Sequence, residues 1–309
     1  MRILVALGGN ALLRRGEALS TASQQASIEI AAGLLAHEVF AGHHIIITHG
    51  NGPQVGLLAL QSAAGPPEST MPLDVLDAES EGWIGYTIEL ALRNALPEGA
   101  IVVTLLTQVL VDSDDKAFKA PNKPIGPVYD EATAKHLANQ NHWSVQPDGK
   151  FWRRVVASPN PMEIVEIASI KRLIDTGAII ICGGGGGIPV RRLEDGKLAG
   201  IEAVIDKDAT SALLAEQVGA DMFIMLSDVP GVYLDYGSKA QRLITTADPV
   251  TMDGYAPSFA AGSMGPKVAA ACAFVRATGQ VSCIGELSDL PDIIEGRKGT
   301  TISSRHGTL

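Results

Sequence analysis

The chain has 309 residues, 46% hydrophobic and only 19% charged, enough to bury a sizeable core and incompatible with an intrinsically disordered chain. Lys and Arg number 24 against 34 Asp and Glu, a net charge of −10, which argues against a general nucleic-acid or anionic-membrane binder but not against a local basic pocket for a small anion. High glycine (33 residues) with few aromatics (5%) suggests many tight strand-to-helix turns rather than an aromatic-rich sandwich.

Residues 3–7 read as a buried strand. Thr21 followed by Gln24 has the spacing of a capping box and opens a helix running towards Phe40, ended by Ala41-Gly42. Residues 44–48 (HIIIT) are the next buried strand. Residues 54–61 and 79–96 read as helices, the second stopped by Pro97, and 101–111 as one apolar, β-branched strand. This β-α-β-α-β order predicts a parallel sheet covered on both faces. From Asp112 to about Pro159 the chain turns polar and is punctuated by Pro121, Pro124, Pro127, Pro147 and Pro159, as expected of a small flap or subdomain inserted into the main sheet. The rhythm then returns. Pro161 stands at the first position of a helix over 162–176, a strand over 178–182 runs into glycines 183–187, and 191–198 forms a turn or hairpin. A helix over 208–218, a strand over 222–226, a helix over 267–278 and a strand over 281–284 follow. There is no repeat of solenoid period and no low-complexity tract.

Cys182, Cys272 and Cys283 make neither a disulfide framework nor a metal-ligand spacing, which predicts buried thiols in a reducing compartment. The opening apolar run is too short for a signal-peptide core, and no apolar run reaches about 18 residues. The expectation is a soluble cytoplasmic protein.

Four glycine-rich turns border strands or helices: Gly8-Gly9-Asn10, His49-Gly50-Asn51-Gly52-Pro53-Gln54, residues 183–187, and Gly262-Ser263-Met264-Gly265-Pro266-Lys267. Glycines at strand C-termini let backbone N–H groups approach an anion, and a helix N-terminus adds a favourable dipole. A lone turn of this kind is ordinary turn geometry; several on consecutive strands, with Asn and Lys among them, are hard to explain so. No standard nucleotide fingerprint is present, so phosphate contacts must be assembled from separate loops. The candidate cations are Lys207, Lys267 and Lys123. Lys207 between Asp206 and Asp208 otherwise reads as a solvated charge cluster, with Asp208 a simple N-cap. His49 reads as structural, holding its loop by a ring N–H, rather than as a general base. Cys182 reads as packing rather than a nucleophile. Trp143, Phe151 and Trp152 read as a satellite core under the flap. Arg153-Arg154 is either a solvated pair or helps close the flap over an anion. His306 sits in a frayed tail.

ALGGNAL, HGNGPQVG, MPLD, NKPIGPVY, RRVVASPNP, CGGGGGIPV, EAVIDKDATSALLAEQ and GSMGPKV occur in the order found in carbamate kinases, which the chain resembles from Met1 to about Ser303. HGNGPQVG, EAVIDKD and KPIGP are highly specific. Other members of the amino acid kinase superfamily share the sheet and the glycine turns but not these segments. The resemblance implies an α/β fold, a three-layer αβα sandwich with an open, mainly parallel eight-stranded sheet. It implies a single domain over 1–309, divided into a carbamate-side lobe (1–195) with a protruding subdomain at about 112–159 and a nucleotide-side lobe (196–309). It further implies a homodimer and reversible, Mg²⁺-dependent transfer between ATP and carbamate giving ADP and carbamoyl phosphate, often run towards ATP at the end of a catabolic route such as that of arginine.

By the same resemblance, Lys207 would hold the phosphoryl group in flight and Asp208 would organise the lysines. Lys267 would reach the nucleotide phosphates, and Lys123 would enter from the flap. Gly8, Gly9, Asn10, Gly50, Asn51 and Gly52 would offer backbone N–H and amide donors to carbamate and the phosphoryl oxygens. Asp228 to Tyr233 would border adenine and ribose, with Met264 nearby; no protein metal site is implied. The residue types suit the chemistry, since carbamate is already an oxyanion and needs no general base, leaving positioning and charge stabilisation.

The chain departs from the family's usual pattern in four places. Leu12-Leu13-Arg14-Arg15-Gly16-Glu17 replaces a polar stretch, and Glu81 stands where Gln is usual. Gly265 follows Met264 in the 261–267 turn, and Ser227-Asp228-Val229-Pro230-Gly231 follows the nucleotide-side strand. None removes a proposed catalytic residue; together they suggest a divergent, carbamate-kinase-like branch, for which purine-nitrogen breakdown is an alternative pathway. The competing functions are a related kinase of another small carboxylate or phosphate, and a non-catalytic nucleotide-binding regulator on the same fold. A dinucleotide oxidoreductase lacks its fingerprint here.

Overall fold

A computed structural model describes residues 1–12, 20–260 and 263–304 of the chain. The readings placed on residues 13–17, on Ala261 and Gly262, and on His306 lie outside the described residues, as does the side chain of Asn10. Eight strands form one sheet in the order 246–247, 300–302, 281–286, 222–227, 2–7, 44–49, 179–182, 102–105. Neighbours are parallel except Val281–Glu286 with Thr300–Ile302.

Arg2–Leu7 lies in the interior of the sheet and alternates between two cores. Leu4 and Ala6 join one; Ile3, Val5 and Leu7 join the other. The first core is closed by the helices Ile167–Asp175, Lys207–Val218 and Met264–Thr278, through Ile170, Leu214 and Phe274. The second is closed by Thr21–Phe40, Leu73–Ala95 and Leu290–Ile294, through Leu35, Ile88 and Ile293. Strands buried on both faces need apolar residues throughout, which explains the unbroken run at 3–7. The chain therefore forms the expected three-layer sandwich.

Local boundaries follow local chemistry. Ser20, not Thr21, caps Thr21–Phe40: its Oγ accepts from the Ser23 N–H at 3.2 Å. The second helix expected from 79 begins at Leu73, directly after Pro72, because Leu73 and Leu76 are buried as well.

Two expectations need correction. The single strand over 101–111 is two. Val102–Leu105 stays at the edge of the main sheet, while Gln108–Val111 joins a second sheet with Ile188–Arg192, Leu198–Gly200 and Pro161–Ile164. The helix expected from 162 starts at Ile167, because Pro161–Ile164 is an edge strand paired antiparallel with Gln108–Val111, where a residue without an N–H is tolerated. Glu166 closes that corner, accepting from the Gln108 backbone N–H at 2.7 Å and from its Nε2 at 2.8 Å.

The proline-rich excursion is built of Lys123–Tyr129, the helix Glu131–Asn141, Ser144–Asp148 and Phe151–Val156, the three strands forming an antiparallel sheet. It sits on the helix Gly52–Ala63 with backbone against backbone: a Cβ on Gly56 would strike Gly126. The aromatic satellite core expected there does not form. Phe151 is half exposed, Trp152 lies under the Lys135 ammonium, and Trp143 lies under the Arg154 guanidinium.

Candidate active site

The turns after Arg2–Leu7, His44–His49 and Ile179–Cys182 lie side by side at the strand C-termini, the usual ligand edge of an open α/β sheet. The helix Lys207–Val218 points its N-terminus at them. Asp206 caps that helix, its Oδ1 accepting from the Asp208 and Ala209 N–H groups at 3.0 and 3.2 Å. The cap is thus Asp206, not Asp208, and Asp208 is left to turn inward.

Three lysines meet around these two aspartates. Lys207 Nζ lies 3.1 Å from Asp208 Oδ1 and donates to the Leu7 carbonyl at 3.2 Å. Lys267 Nζ donates to Asp208 Oδ2 at 2.8 Å. Lys123 Nζ reaches in from the flap and donates to Asp206 Oδ2 at 2.7 Å. Burial opposes the Asp208 charge, but Lys207 and Lys267 hold its carboxyl far below the usual range. Burial likewise opposes the charge of Asp206, and Lys123 and the capped amides outweigh it. Burial pulls the Lys207 ammonium down to about 8, against the raising pull of Asp208. The solvated-cluster reading of Lys207 therefore fails: its side chain is only 11% exposed.

Two cavities open on this cluster. One, of about 470 Å³, is lined by Gly8, Gly9, Asp206, Asp208, Lys267, Asp228, Tyr233 and Met264. The other, of about 810 Å³, runs under the flap past Gly52, Lys123, Arg153, Asp206 and Pro266. Tyr236, 5.8 Å from Tyr233 between ring centroids, and Phe259 complete the wall of the first; sequence reasoning had named neither. Asp206 was seen only as part of a charge cluster, yet it faces both cavities. Arg153 and Arg154 part company by strand alternation. Arg153 donates to the Gly126 carbonyl at 2.8 Å and faces the cleft, while Arg154 stacks on Trp143 away from it.

The glycine turns do less donating than expected. The Gly8 N–H is bonded to Leu226 O and the Gly50 N–H to Leu7 O, both at 3.1 Å, so in this structure neither amide points at a ligand. A Cβ on Gly8 would lie 2.6 Å from Leu226 O. The Asn51 amide nitrogen donates to Asp77 Oδ1 and Ser80 Oγ, both at 2.9 Å, so its side chain faces the core. Gly9 and Gly52 begin helices at the two cavities, and Asn10 lies in the same first turn as Gly9.

Behind the turns lie buried polar groups. His49 donates its Nδ1–H to the Gly50 carbonyl at 3.2 Å, consistent with a loop-holding role. Burial, with the Lys207 charge adding to it, lowers its imidazole to about 4, so it is neutral at physiological pH. Burial pushes Asp77 well above the usual carboxylate range. It also pushes Glu81 up to about 8, against the pull of the Thr107 and Gly184 N–H groups. Cys182 is buried and its thiol raised by that burial, as a packing residue should be.

A family model described as "Amino acid kinase family" matches residues 1–285. A carbamate kinase of Rhizobium meliloti is 50% identical over 306 residues, covering 98% of this chain and 94% of the relative. The solved carbamate kinase of Giardia lamblia bound to citric acid superposes with a TM-score of 0.91 at 40% identity, covering 98% of each chain. The same enzyme bound to AMP-PNP gives 0.88, again at 40% identity and 98% coverage of each chain. The chain thus belongs to the amino acid kinase family and, within it, to the carbamate kinases.

Proposed function

We propose that this protein is an ATP:carbamate phosphotransferase, reversibly interconverting ATP plus carbamate and ADP plus carbamoyl phosphate, and working towards ATP. The observation that carries the reading is the cluster Lys123–Asp206 and Lys207–Asp208–Lys267 set between two cavities. The 470 Å³ cavity takes the nucleotide, with Tyr233, Asp228 and Met264 at the adenosine and Lys267 at the phosphates. AMP-PNP, the ligand named for the Giardia lamblia relative, is an ATP analogue. Carbamate is read at the flap side, near Gly52 and Lys123, next to the cavity where Gly9 and Asn10 begin their helix.

Carbamate attacks the γ-phosphorus as a ready-made oxyanion, and neutral His49 takes no proton. Lys207, a mobile point charge held by Asp208, follows the phosphoryl group between the two oxygens. Lys123 and Lys267 neutralise the acceptor and donor sides, and the N-terminus of the helix that begins at Gly52 adds its dipole. A magnesium ion carried on the nucleotide phosphates keeps several waters and takes one or two carboxylates. Asp228, at the wall of the nucleotide cavity, would supply such a carboxylate, whereas Asp206 is already engaged by its capped amides and by Lys123, and among the described residues no group of three or more His, Cys, Asp or Glu side chains is placed to hold a metal by itself. Such an ion supplies charge neutralisation on the transferring oxygens.

The same reading makes the chain one domain, with a carbamate-side lobe over 1–195, its flap at about 112–159, and a nucleotide-side lobe over 196–309. A homodimer is supported by the outward face of Leu73–Ala95, where Val75, Tyr86 and Leu90 are exposed beside Ile101 and Leu106. A cytoplasmic location is supported by three buried, unpaired cysteines, and a place in the catabolism of arginine by the resemblance. Among the described residues no helix is long and apolar enough to cross a membrane.

The deciding experiment is ATP formation from ADP, Mg²⁺ and carbamoyl phosphate, corrected for spontaneous decay, with acetyl phosphate as the control. Fast formation from carbamoyl phosphate is expected. A folded protein that binds ADP but forms no ATP would transfer the reading to another small carboxylate or phosphate acceptor.

A further inference from the structure

We propose that Glu81 is a positioning residue for the phosphoryl-transfer site: by tying Thr107 and Gly184 to one carboxyl group, it fixes the 183–187 loop that seats His49 and Asn51. The proposal rests on the carbamate kinase reading for its kinetic consequence, not for its geometry.

Glu81 lies in the helix Leu73–Ala95 and is 1% exposed. Its Oε1 accepts from the Gly184 N–H at 2.8 Å and its Oε2 from the Thr107 N–H at 3.1 Å. Thr107 adds a third tie, its Oγ1 accepting from the Gly183 N–H at 2.9 Å. One side chain thus stitches together the ends of Val102–Leu105 and Ile179–Cys182, two strands whose ladder stops just short of these amides.

The stitched loop touches both halves of the reacting site. A Cβ on Gly184 would strike the His49 ring and come 2.9 Å from Glu81 Cγ, and one on Gly185 would strike the Asn51 amide. The Gly186 carbonyl accepts from Thr210 Oγ1 at 2.8 Å, in the helix that begins with Lys207. The loop is therefore clamped by Glu81 on one side. On the other it sets the 49–52 turn against the helix that carries the central lysine. An apolar side chain would fill the same space but leave two buried N–H groups without acceptors, at the point where the loop must be held. A glutamine in this place would meet one of these donors with its amide oxygen, while its NH₂ group would oppose the other. Glu81 receives both N–H groups, one at each oxygen.

The test compares Glu81→Ala and Glu81→Gln with the unaltered protein. We expect Glu81→Ala to raise KM for carbamoyl phosphate about tenfold or more and to lower kcat, because misplacement of a site by about 1 Å costs up to about a hundredfold. The Kd for ADP should stay within about twofold, since the adenosine cavity lies on the other side of the lysine cluster. Glu81→Gln should recover most of the activity, and amide hydrogen exchange should accelerate at both Gly184 and Thr107 in the Ala variant but at only one of them in the Gln variant. If Glu81→Ala does not fold, the exchange pattern and KM of Glu81→Gln decide. A folded variant with unchanged exchange at both amides, or equal losses of ADP and carbamoyl phosphate affinity, overturns the proposal. If the unaltered protein forms no ATP from carbamoyl phosphate, the functional reading fails, and the exchange measurement alone still judges the clamp.

Discussion

Asp208 is shared by two lysines, Lys207 at 3.1 Å from Oδ1 and Lys267 at 2.8 Å from Oδ2, with all three side chains no more than 13% exposed. Two ammonium groups this close repel, and a single ionised carboxylate between them makes the arrangement tolerable. Asp208 is thus the organiser of the cations as well as their counter-charge.

Removing that carboxylate should cost both stability and rate. Breaking a buried ion pair by deleting one partner costs about 3–5 kcal/mol. Asp208→Asn, which keeps the shape, should lose that order of stability in urea unfolding and at least about a hundredfold in kcat. Full stability with full activity would show the lysines to be placed by something else.

The two lysines should separate by kinetic class. Lys207→Ala should abolish turnover, with a fall of about 10³-fold or more in kcat, while ADP binding by calorimetry stays detectable. Lys267→Ala, at the wall of the nucleotide cavity, should chiefly weaken ADP, by about tenfold or more. Near-normal turnover in the first, or unchanged nucleotide affinity in the second, removes that lysine from its role.

The fold was legible where periodicity and burial agree. Arg2–Leu7 and His44–His49 are apolar on both faces because helices cover both, and the helix ends at Ala41-Gly42 and Pro97 are local chemistry. It was illegible where tertiary pairing overrides local pattern: Pro161–Ile164 looks like a helix start but is claimed by Gln108–Val111. The lysines were legible from their motifs. What they touch was not, because Asp206 pairing with Lys123 spans 83 residues of sequence. The bonding of the Gly8 and Gly50 amides was illegible for a similar reason: sequence shows a flexible residue, not that the neighbouring strand holds its N–H.

The flap's seat should govern the acceptor side alone. Gly56 and Gly126 meet backbone to backbone, one helical turn beyond Gly52 and three residues beyond Lys123. Gly56→Ala must push the flap strand away, and Lys123 with it. We expect KM for carbamoyl phosphate to rise about tenfold or more with ADP affinity unchanged. An equal loss for both substrates would mean general unfolding, and no loss would mean that the flap's position does not set the site.

The pH profile should report Lys207. Burial, opposed by Asp208, lowers its ammonium from 10.5 to about 8 in the folded protein. The charged form is the one that can hold a phosphoryl group, so kcat/KM should fall as pH rises through about 8. Stability runs the other way. Between about 8 and 10.5 the unfolded chain keeps a proton on Lys207 that the folded protein has released, so this group's contribution makes stability rise with pH across that window. Lys207→Arg should lose rate but also lose the alkaline limb, because a guanidinium stays charged. In Asp208→Asn, where the raising carboxylate is gone, the limb should move to lower pH. An alkaline limb that stays in place in both variants would assign it to another group, and the structure would then need a different cation at the centre of the transfer.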